Sequence, residues 1–167
     1  MVIEAKKGVP AAELKGTLNT WRDRVPNKWD DVLIWNEILT WRYHFLNSCL
    51  SKQFDAHQHD QQKLTCLTEA LWTQTKLASI LRKNKLTEAA VRILQDASKL
   101  FTVSNIAESH EQFWRFYQLL KCHLQDGKYQ EALDMINADQ NVNKLKPMPK
   151  LDIMRTKAEF LALTDKK

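Results

Sequence analysis

Histidine and carboxylate side chains at metal-binding spacing are the first candidates for chemistry in this chain of 167 residues. His57 and His59 stand two positions apart beside Asp60, and two imidazoles with one carboxylate could hold a cation. No further ligand lies near them in the sequence, and neither a His-Glu-x-x-His nor a Cys-x-x-Cys motif occurs. Solvated side chains in a polar loop explain the stretch better, so we expect no metal site.

Three cysteines could serve as nucleophiles or form disulfides. Cys49, Cys66 and Cys122 are odd in number and widely spaced, which fits neither a paired disulfide framework nor a zinc site. Cys49 and Cys122 lie on apolar stripes, where a thiol behaves as a small hydrophobic group. The cysteines therefore predict a reducing compartment and no catalytic thiol.

Other catalytic motifs are missing as well. Gly8, Gly16 and Gly127 stand alone, so the sequence has no glycine-rich phosphate loop and no Gly-x-Ser-x-Gly elbow. Asp30 and Asp31 are adjacent carboxylates at a predicted helix start, where capping explains them without acid–base chemistry. We predict that the chain is not an enzyme, with no catalytic residue and no cofactor.

Charge and hydropathy limit the class of partner. The net charge of +5 comes from 25 basic and 20 acidic residues spread through the chain, whereas nucleic-acid binding requires basic charge gathered on one face. Nucleic acid is therefore an unlikely partner. The first residues lack the apolar core of a signal peptide, and no uninterrupted apolar run of about 18 residues occurs, so we expect neither that secretion route nor a membrane span.

The elements that position these residues are predicted to be helices. Three glycines and four prolines are too few for the turns of a sheet protein. Apolar periodicity predicts about seven helices in a single helical-repeat segment, 1–167, with a candidate disordered start at 1–9 and loops at 54–62 and 139–149. Predicted helix starts are Pro10, an Asn27 cap, the end of the first loop, Leu86, an Asn105 cap, Tyr129 and Leu151.

The second predicted helix is apolar on two sides. One stripe contains Val32, Trp35, Leu39, Leu46 and Cys49, and the other contains Ile34, Ile38, Trp41 and Phe45. A helix with two apolar faces is normally sandwiched between neighbouring helices. This pattern predicts layers of helices.

An internal similarity supports a repeat. The segments 81–90 and 124–133 share Leu, Lys, Glu and Ala at an offset of 43 residues, in each case where a long helix meets a short turn. Ala89 and Ala132 are predicted to let the paired helices approach closely. The offset lies near the HEAT range, so we predict an all-α fold, an irregular α-solenoid of stacked tetratricopeptide-like or HEAT-like hairpins.

Tryptophan and arginine are interleaved between the first two predicted helices. Such residues could stack on bases or grip a peptide, but an aromatic stripe in repeat helices is more often core. We therefore expect Arg22, Arg24 and Arg42 to pair with carboxylates such as Asp30 and Asp31, or to lie over indole rings.

The order and spacing of these residues resemble the FAT region of the TRRAP family, pseudokinase scaffolds of the phosphatidylinositol 3-kinase-related kinase superfamily. The resemblance extends over 14–163 and is strongest in its first thirty residues. The matching residues, interpreted as structural, are Asn19, Trp21, Arg22, Arg24, Pro26, Asp30, Asp31, Trp35, Ile38, Trp41, Arg42 and His44.

The resemblance implies a non-catalytic nuclear scaffold segment that acts in transcription regulation. Its implied partners are the remainder of a larger helical scaffold, subunits of histone acetyltransferase complexes of the SAGA type, and transcription activators. Family members are far longer, so the chain would be a fragment, a split product or a divergent short relative. Alternatives are a free tetratricopeptide-like adaptor for a peptide or helix, the FAT segment of an active related kinase, and a nucleic-acid binder.

Overall fold

A computed structural model of the chain describes residues 11–52, 60–104, 110–138 and 147–164, and these residues form seven helices and no strand. The helices are α1 (Ala11–Asp23), α2 (Val32–Lys52), α3 (Asp60–Lys83), α4 (Thr87–Ser104), α5 (His110–Gln125), α6 (Tyr129–Ala138) and α7 (Pro147–Thr164). The predicted all-α fold is confirmed. The predicted start at 1–9, the Asn105 cap and the histidines His57 and His59 lie outside the described residues.

Two helices begin inside segments that were predicted to be loops. α3 begins at Asp60 and α7 at Pro147, so the loops predicted to reach 62 and 149 end earlier. Pro147 and Pro149 both fall in the first turn of α7. Proline is tolerated there because the first amide groups of a helix have no intrahelical acceptor, which is why these prolines do not stop the helix.

The start of α2 differs from the predicted Asn27 cap. Asn27 instead forms a turn, in which its amide donates to Asp30 Oδ2 at 2.6 Å and the Asp30 amide donates to the Asn27 carbonyl at 3.0 Å. Asp31 is the cap: its Oδ1 accepts from the Leu33 amide at 2.7 Å, and its carbonyl accepts from the Ile34 amide at 3.1 Å. The carboxylate at the cap also offsets the positive end of the helix dipole.

The helices form two compact units, Met1–Thr73 and Gln74–Lys167, with the boundary inside α3. In the first unit, the α3 portion is buried on several sides. The buried apolar residues described in this unit are Leu18, Trp35, Leu39, Leu46, Cys66, Leu67, Ala70 and Leu71. Each large side chain removed from water contributes about 1.5–3 kcal/mol, so these residues hold the three helical segments together.

The second unit has its own core, built from one face each of α5, α6 and α7. Its buried cluster contains Phe113, Phe116, Leu120, Ala132, Leu133, Ile136, Ile153 and Phe160. Tyr117 and Leu124 each follow a buried residue of α5, Phe113 and Leu120, by four positions in the sequence, and both are partly buried against this cluster. The 3 to 4 spacing in the sequence therefore located the buried face of α5 correctly.

The turns that follow α3 and α5 share one geometry. Lys85 has φ of 62° and Gly127 has φ of 72°. The Leu86 amide donates to the Leu81 carbonyl at 2.9 Å, and the Lys128 amide donates to the His123 carbonyl at the same distance. These six-residue hydrogen bonds with a left-handed residue are Schellman C-caps.

The structurally equivalent residues of the two turns, Lys85 and Gly127, are 42 positions apart. The offset of 43 predicted from identical residues is therefore wrong by one. Ala90 and Ala132 are both fully buried, and each donates its amide to the carbonyl four residues earlier. Ala89, which was predicted to let the paired helices approach closely, is exposed. The residue with positive φ determines where the second helix of each pair begins. The alignment of the two repeats therefore follows these turns and not the positions at which identical residues coincide.

Candidate protein-interaction site on the first unit

Arg42 of α2 closes the C-terminal end of α1. Its side chain is buried, with 8% of its surface exposed. Nη1 donates to the Trp21 carbonyl at 2.6 Å and Nη2 donates to the Arg24 carbonyl at 2.5 Å. These carbonyls lie at the negative end of the helix dipole, which favours a cation. Burial lowers the pKa of Arg42 from its usual value.

Arg22 ties α1 to α3. Its Nε and Nη2 atoms donate to the two oxygens of Glu69 at 2.9 and 2.7 Å, and its guanidinium carbon lies 4.8 Å from the Trp72 ring centroid. This bidentate pair is part-buried, and such fork-shaped contacts are among the stronger hydrogen bonds in proteins. The prediction that Arg22 pairs with a carboxylate or lies over an indole ring is confirmed on both counts, with Glu69 as the carboxylate where the sequence had suggested Asp30 or Asp31.

The residues that match the TRRAP family lie between Asn19 and His44, which we call the signature segment, and several of them lie at the turn between α1 and α2. Trp35 is buried and its Nε1 donates to the Asn27 carbonyl at 3.2 Å. Pro26 and Ile38 are half-buried, whereas Asn19, Arg24 and His44 are exposed. The structure thus brings most of the sequence-predicted residues into one region where α1 ends and α2 begins.

The second apolar stripe of α2, which we call the α2 seam, consists of Ile34, Ile38, Trp41 and Phe45. It is not core: the exposed fractions are 46% for Ile34, 60% for Trp41 and 39% for Phe45. The prediction of core packing therefore holds for Trp35 and is wrong for Trp41. Within the described residues α2 is covered on one apolar face only.

An aromatic cluster extends the α2 seam onto α1. The Trp21 ring centroid lies 5.9 Å from that of Trp41 and 5.5 Å from that of Phe45, and Trp41 stacks on Phe45 at 5.6 Å with an interplanar angle of 16°. The Arg42 guanidinium carbon lies 5.7 Å from the Trp21 ring centroid. Because the rings hold one another in place, Trp41 presents a large apolar surface in a fixed position, as interface hot spots do.

The buried thiols have the chemistry of core residues. Burial raises the pKa of the Cys66 thiol to about 11, with smaller contributions from Cys49 and Glu69. Burial also raises the pKa of Cys122 to about 11 against the opposing effect of Arg82. A thiolate is the reactive form, so both cysteines are poor nucleophiles at neutral pH.

No group of three or more histidine, cysteine, aspartate or glutamate side chains among the described residues is placed to hold a metal ion. No helix in the same ranges is both long and apolar enough to cross a membrane.

Glu69 and Trp72 are the residues of the site that sequence reasoning missed. They lie 47 and 50 positions after Arg22, so no local pattern connects them to the signature segment. The available signal was an acidic residue, Glu69, flanked by Leu67, Ala70 and Leu71 in the sequence, because a charge among buried apolar residues is normally paired. That signal predicts a basic partner without saying which one.

Comparison with known proteins identifies one family of relatives. A family model described as FAT domain matches residues 1–165. The chain is 29% identical over 91% of its length to the SAGA complex/NuA4 acetyltransferase complex subunit TRA1 of Saccharomyces cerevisiae, and 26% identical over 89% to a probable transcription-associated protein 1 of Dictyostelium discoideum. It is 27% identical over 68% of its length to the transformation/transcription domain-associated protein of Danio rerio.

The chain spans only about 4%, 4% and 3% of the lengths of these three relatives. No solved structure matches the chain significantly. The resemblance to the TRRAP family that the residues around Trp21 and Arg42 indicate is thereby confirmed.

Proposed function

The chain belongs to the FAT domain family, and we propose that it acts as a non-catalytic helical scaffold segment of a transcription-associated protein in a histone acetyltransferase complex. The observation that carries the proposal is the 29% identity over 91% of the chain to a subunit named for the SAGA and NuA4 acetyltransferase complexes. In that setting the chain works in the nucleus, through contacts with other subunits, with transcription activators and with the rest of a larger scaffold.

The contacts of the signature residues support a structural role for them. The cationic groups of Arg22 and Arg42 are occupied by Glu69 and by main-chain carbonyls of α1. Groups engaged in this way position helices and are not presented to a substrate. We propose the same structural role for Asp31, which caps α2, and for Trp35, which anchors the turn before it.

The α2 seam supports the part of the proposal that concerns protein partners. Soluble domains rarely leave several large apolar side chains exposed along one helix face unless another protein surface covers them. Trp41 is at the centre of this face. We propose that contacts with other parts of the complex are made here.

A second candidate function is a free adaptor that binds a peptide or helix. The exposure of Trp41 and Phe45 favours it, because amphipathic helices dock through anchors with this spacing. The third candidate, the FAT segment of an active related kinase, has less support, since the relatives compared above carry transcription-associated names.

Affinity purification tests the proposal. The tagged chain is expressed in its own cells, and co-purifying proteins are identified by mass spectrometry for the wild type, for Trp41→Ala and for Trp29→Ala. Trp29 is 88% exposed and lies outside the α2 seam, so it is the matched control. We expect acetyltransferase-complex subunits with the wild type and the control, and a loss of recovery with Trp41→Ala.

Two results would overturn the proposal. Recovery of chaperones alone, or of no protein, from the wild-type chain would leave no support for membership in a complex. Recovery of a single partner outside acetyltransferase complexes, also lost in Trp41→Ala, would identify the adaptor function instead.

A further inference from the structure

The turn between α5 and α6 contains the single Asp-Gly pair of the sequence, Asp126 and Gly127. α5 ends at Gln125 and α6 begins at Tyr129, so both residues lie between the helices, and Asp126 is exposed to solvent. The main chain at an aspartate rearranges most readily when glycine follows, because glycine has no Cβ to crowd its own amide nitrogen. This turn is therefore a candidate for spontaneous covalent modification.

The rearrangement needs only the chain and water. The Gly127 amide nitrogen attacks Cγ of the protonated Asp126 carboxyl group, and the carboxyl hydroxyl leaves as water with the amide proton. Water then opens the resulting succinimide ring. Cleavage between the nitrogen and Cγ restores aspartate, whereas cleavage between the nitrogen and the main-chain carbonyl carbon leaves the chain running through Cγ, as isoaspartate. One water is released and one is taken up, so the composition of the chain is unchanged.

The surroundings of Gly127 leave room for this ring. Gly127 has a φ of 72°, and no atom beyond its two chain neighbours lies within 4 Å of the position that a Cβ would occupy. Its amide donates to the Leu124 carbonyl at 3.3 Å, which is longer than usual for an N–H···O hydrogen bond. The attacking nitrogen is thus weakly held, and water can reach the site.

One contact restrains the Asp126 carboxylate. Thr87, the first residue of α4, donates its hydroxyl to Asp126 Oδ1 at 2.6 Å, although the two residues are 39 positions apart. The ring closes only when Cγ moves onto the nitrogen of Gly127, and this movement takes Oδ1 away from Thr87. A single exposed hydrogen bond contributes modestly to stability, so it slows the movement without preventing it.

We propose that Asp126 is a site of isoaspartate formation in the folded chain and that Thr87 limits the rate by holding the Asp126 carboxylate. The inference rests on the contacts of one turn in the second unit. It does not depend on the role proposed above in an acetyltransferase complex.

Isoaspartate would change the C-cap of α5. It adds one main-chain atom between residues 126 and 127, inside the segment closed by the hydrogen bond from the Lys128 amide to the His123 carbonyl at 2.9 Å. The carboxylate is then attached directly to Cα of residue 126 and withdraws from Thr87. The modification should therefore weaken both the cap of α5 and the link from this turn to α4.

Incubation of the purified chain in ¹⁸O-labelled water measures the reaction, because each ring opening inserts one labelled oxygen. Mass spectrometry locates the label, and chromatography separates aspartyl from isoaspartyl peptides. We expect label and isoaspartate at Asp126. Asp134 is an internal control: it is exposed and accepts from Gln130 at 3.1 Å, but Met135 follows it, so it should acquire no label.

Thr87→Val tests the restraint, because it removes the hydroxyl and keeps the shape of the side chain. Isomerisation at Asp126 should become about threefold faster or more, as expected for loss of one hydrogen bond. Thr20→Val is the matched control, since Thr20 donates to the Gly16 carbonyl within α1 and should leave the rate unchanged. Circular dichroism checks that both variants are folded.

A neighbouring contact separates this restraint from general loosening of the turn. Gln125 Nε2 donates to the Arg82 carbonyl at 3.2 Å. Gln125→Met removes that hydrogen bond and keeps the contact between Thr87 and Asp126, so it should accelerate isomerisation less than Thr87→Val does. Asp126→Glu should abolish the signal, because the longer side chain would have to close a six-membered ring.

Three outcomes would overturn the proposal. Label that enters Asp126 in the urea-unfolded chain but not in the folded chain would exclude the reaction in the folded state. Equal rates in the wild type and Thr87→Val, or an equal acceleration by Gln125→Met, would exclude Thr87 as the restraint. Equal thermal unfolding midpoints of the separated aspartyl and isoaspartyl chains would contradict the effect on the cap.

Discussion

At the scale of single residues, Arg42 places a cation inside the first unit because two carbonyl groups at the end of α1 need donors. A helix leaves its last carbonyls without intrahelical partners, and here the chain turns away at Pro26. One guanidinium reaches both Trp21 and Arg24 because its donors form a planar fork. This geometry also explains why lysine, with a single ammonium, is not an equivalent residue at this position.

Replacing Arg42 should destabilise the first unit. Arg42→Met keeps the length of the side chain and leaves the two carbonyls without their buried donors, which should lower the free energy of unfolding by about 2–4 kcal/mol. Arg24→Met is the control, because that side chain is exposed and the hydrogen bonds described for Arg24 are made by its main chain, so a change below about 0.5 kcal/mol is expected. Urea unfolding followed by tryptophan fluorescence measures both. Equal stabilities of the two variants would contradict this role for Arg42.

His123 should make stability depend on pH. Burial lowers its pKa below 6.5, and the nearby Glu131 carboxylate, 3.8 Å from Nδ1 and too distant for a hydrogen bond, only partly opposes this effect. As the pH falls below 6.5, the unfolded chain takes up a proton before the folded chain does. The contribution of neutral His123 to the free energy of unfolding is therefore fully present above pH 6.5. It is lost as the pH falls from 6.5 through the lower pKa that His123 has in the folded chain.

Two substitutions check the contribution of His123. His123→Gln should reduce the loss of stability between pH 7 and the acid range, measured by thermal unfolding at a series of pH values. Glu131→Gln should enlarge that loss, because it removes the carboxylate that favours protonated His123. Parallel pH dependences in all three proteins would rule out His123 as the responsible group.

At the scale of elements, the C-caps after α3 and α5 perform the same task with different residues. Both turns need a left-handed residue. Gly127 adopts this conformation at little cost, whereas Lys85, at φ 62°, pays the steric cost of its Cβ atom. The geometry is kept at Lys85 because Leu86 and Lys85 donate to the last carbonyls of α3.

Exchanging glycine between the two caps should change stability in opposite directions. Lys85→Gly should stabilise the second unit by about 0.5–1 kcal/mol, because the strained φ is relieved. Gly127→Ala should destabilise it by about 1 kcal/mol through φ alone, since no atom lies within 4 Å of the added Cβ. Thermal unfolding measures both changes. Stabilisation by both substitutions would show that the caps are not strained as described.

At the scale of the whole molecule, α3 runs without interruption through the boundary between two units that have separate cores. More buried apolar side chains are described in Gln74–Lys167 than in Met1–Thr73. Each unit contains one fully described buried thiol, Cys66 in the first and Cys122 in the second. The two thiols are therefore natural reporters of how the units open.

Alkylation during urea unfolding should distinguish the units. Short pulses of iodoacetamide at increasing urea, with the modified peptides quantified by mass spectrometry, should label Cys66 at lower urea than Cys122, because the described residues of the first unit bury fewer apolar side chains. Below the transition both should react slowly at pH 8, since their pKa of about 11 leaves little thiolate. Identical midpoints would mean that the units unfold together.

Properties that depend on neighbouring residues in the chain could be predicted from the sequence. Apolar spacing identified the helices and the buried face of α5, the scarcity of glycine and proline excluded a sheet, and the Trp-Arg signature segment led to the correct family. These features are local, because a helix has a fixed period and a cap requires particular residues within a few positions.

Contacts between residues of distant segments could be seen in the three-dimensional structure and not in the sequence. The structure placed Glu69 and Trp72 on Arg22, left Trp41 exposed while burying Trp35, and set the repeat register with Ala90 in place of Ala89. The sequence showed two apolar stripes on α2 but could not say which one a neighbouring helix would cover. Burial depends on which helices pack together, and a one-residue shift in the start of a helix rotates every side chain by about 100°.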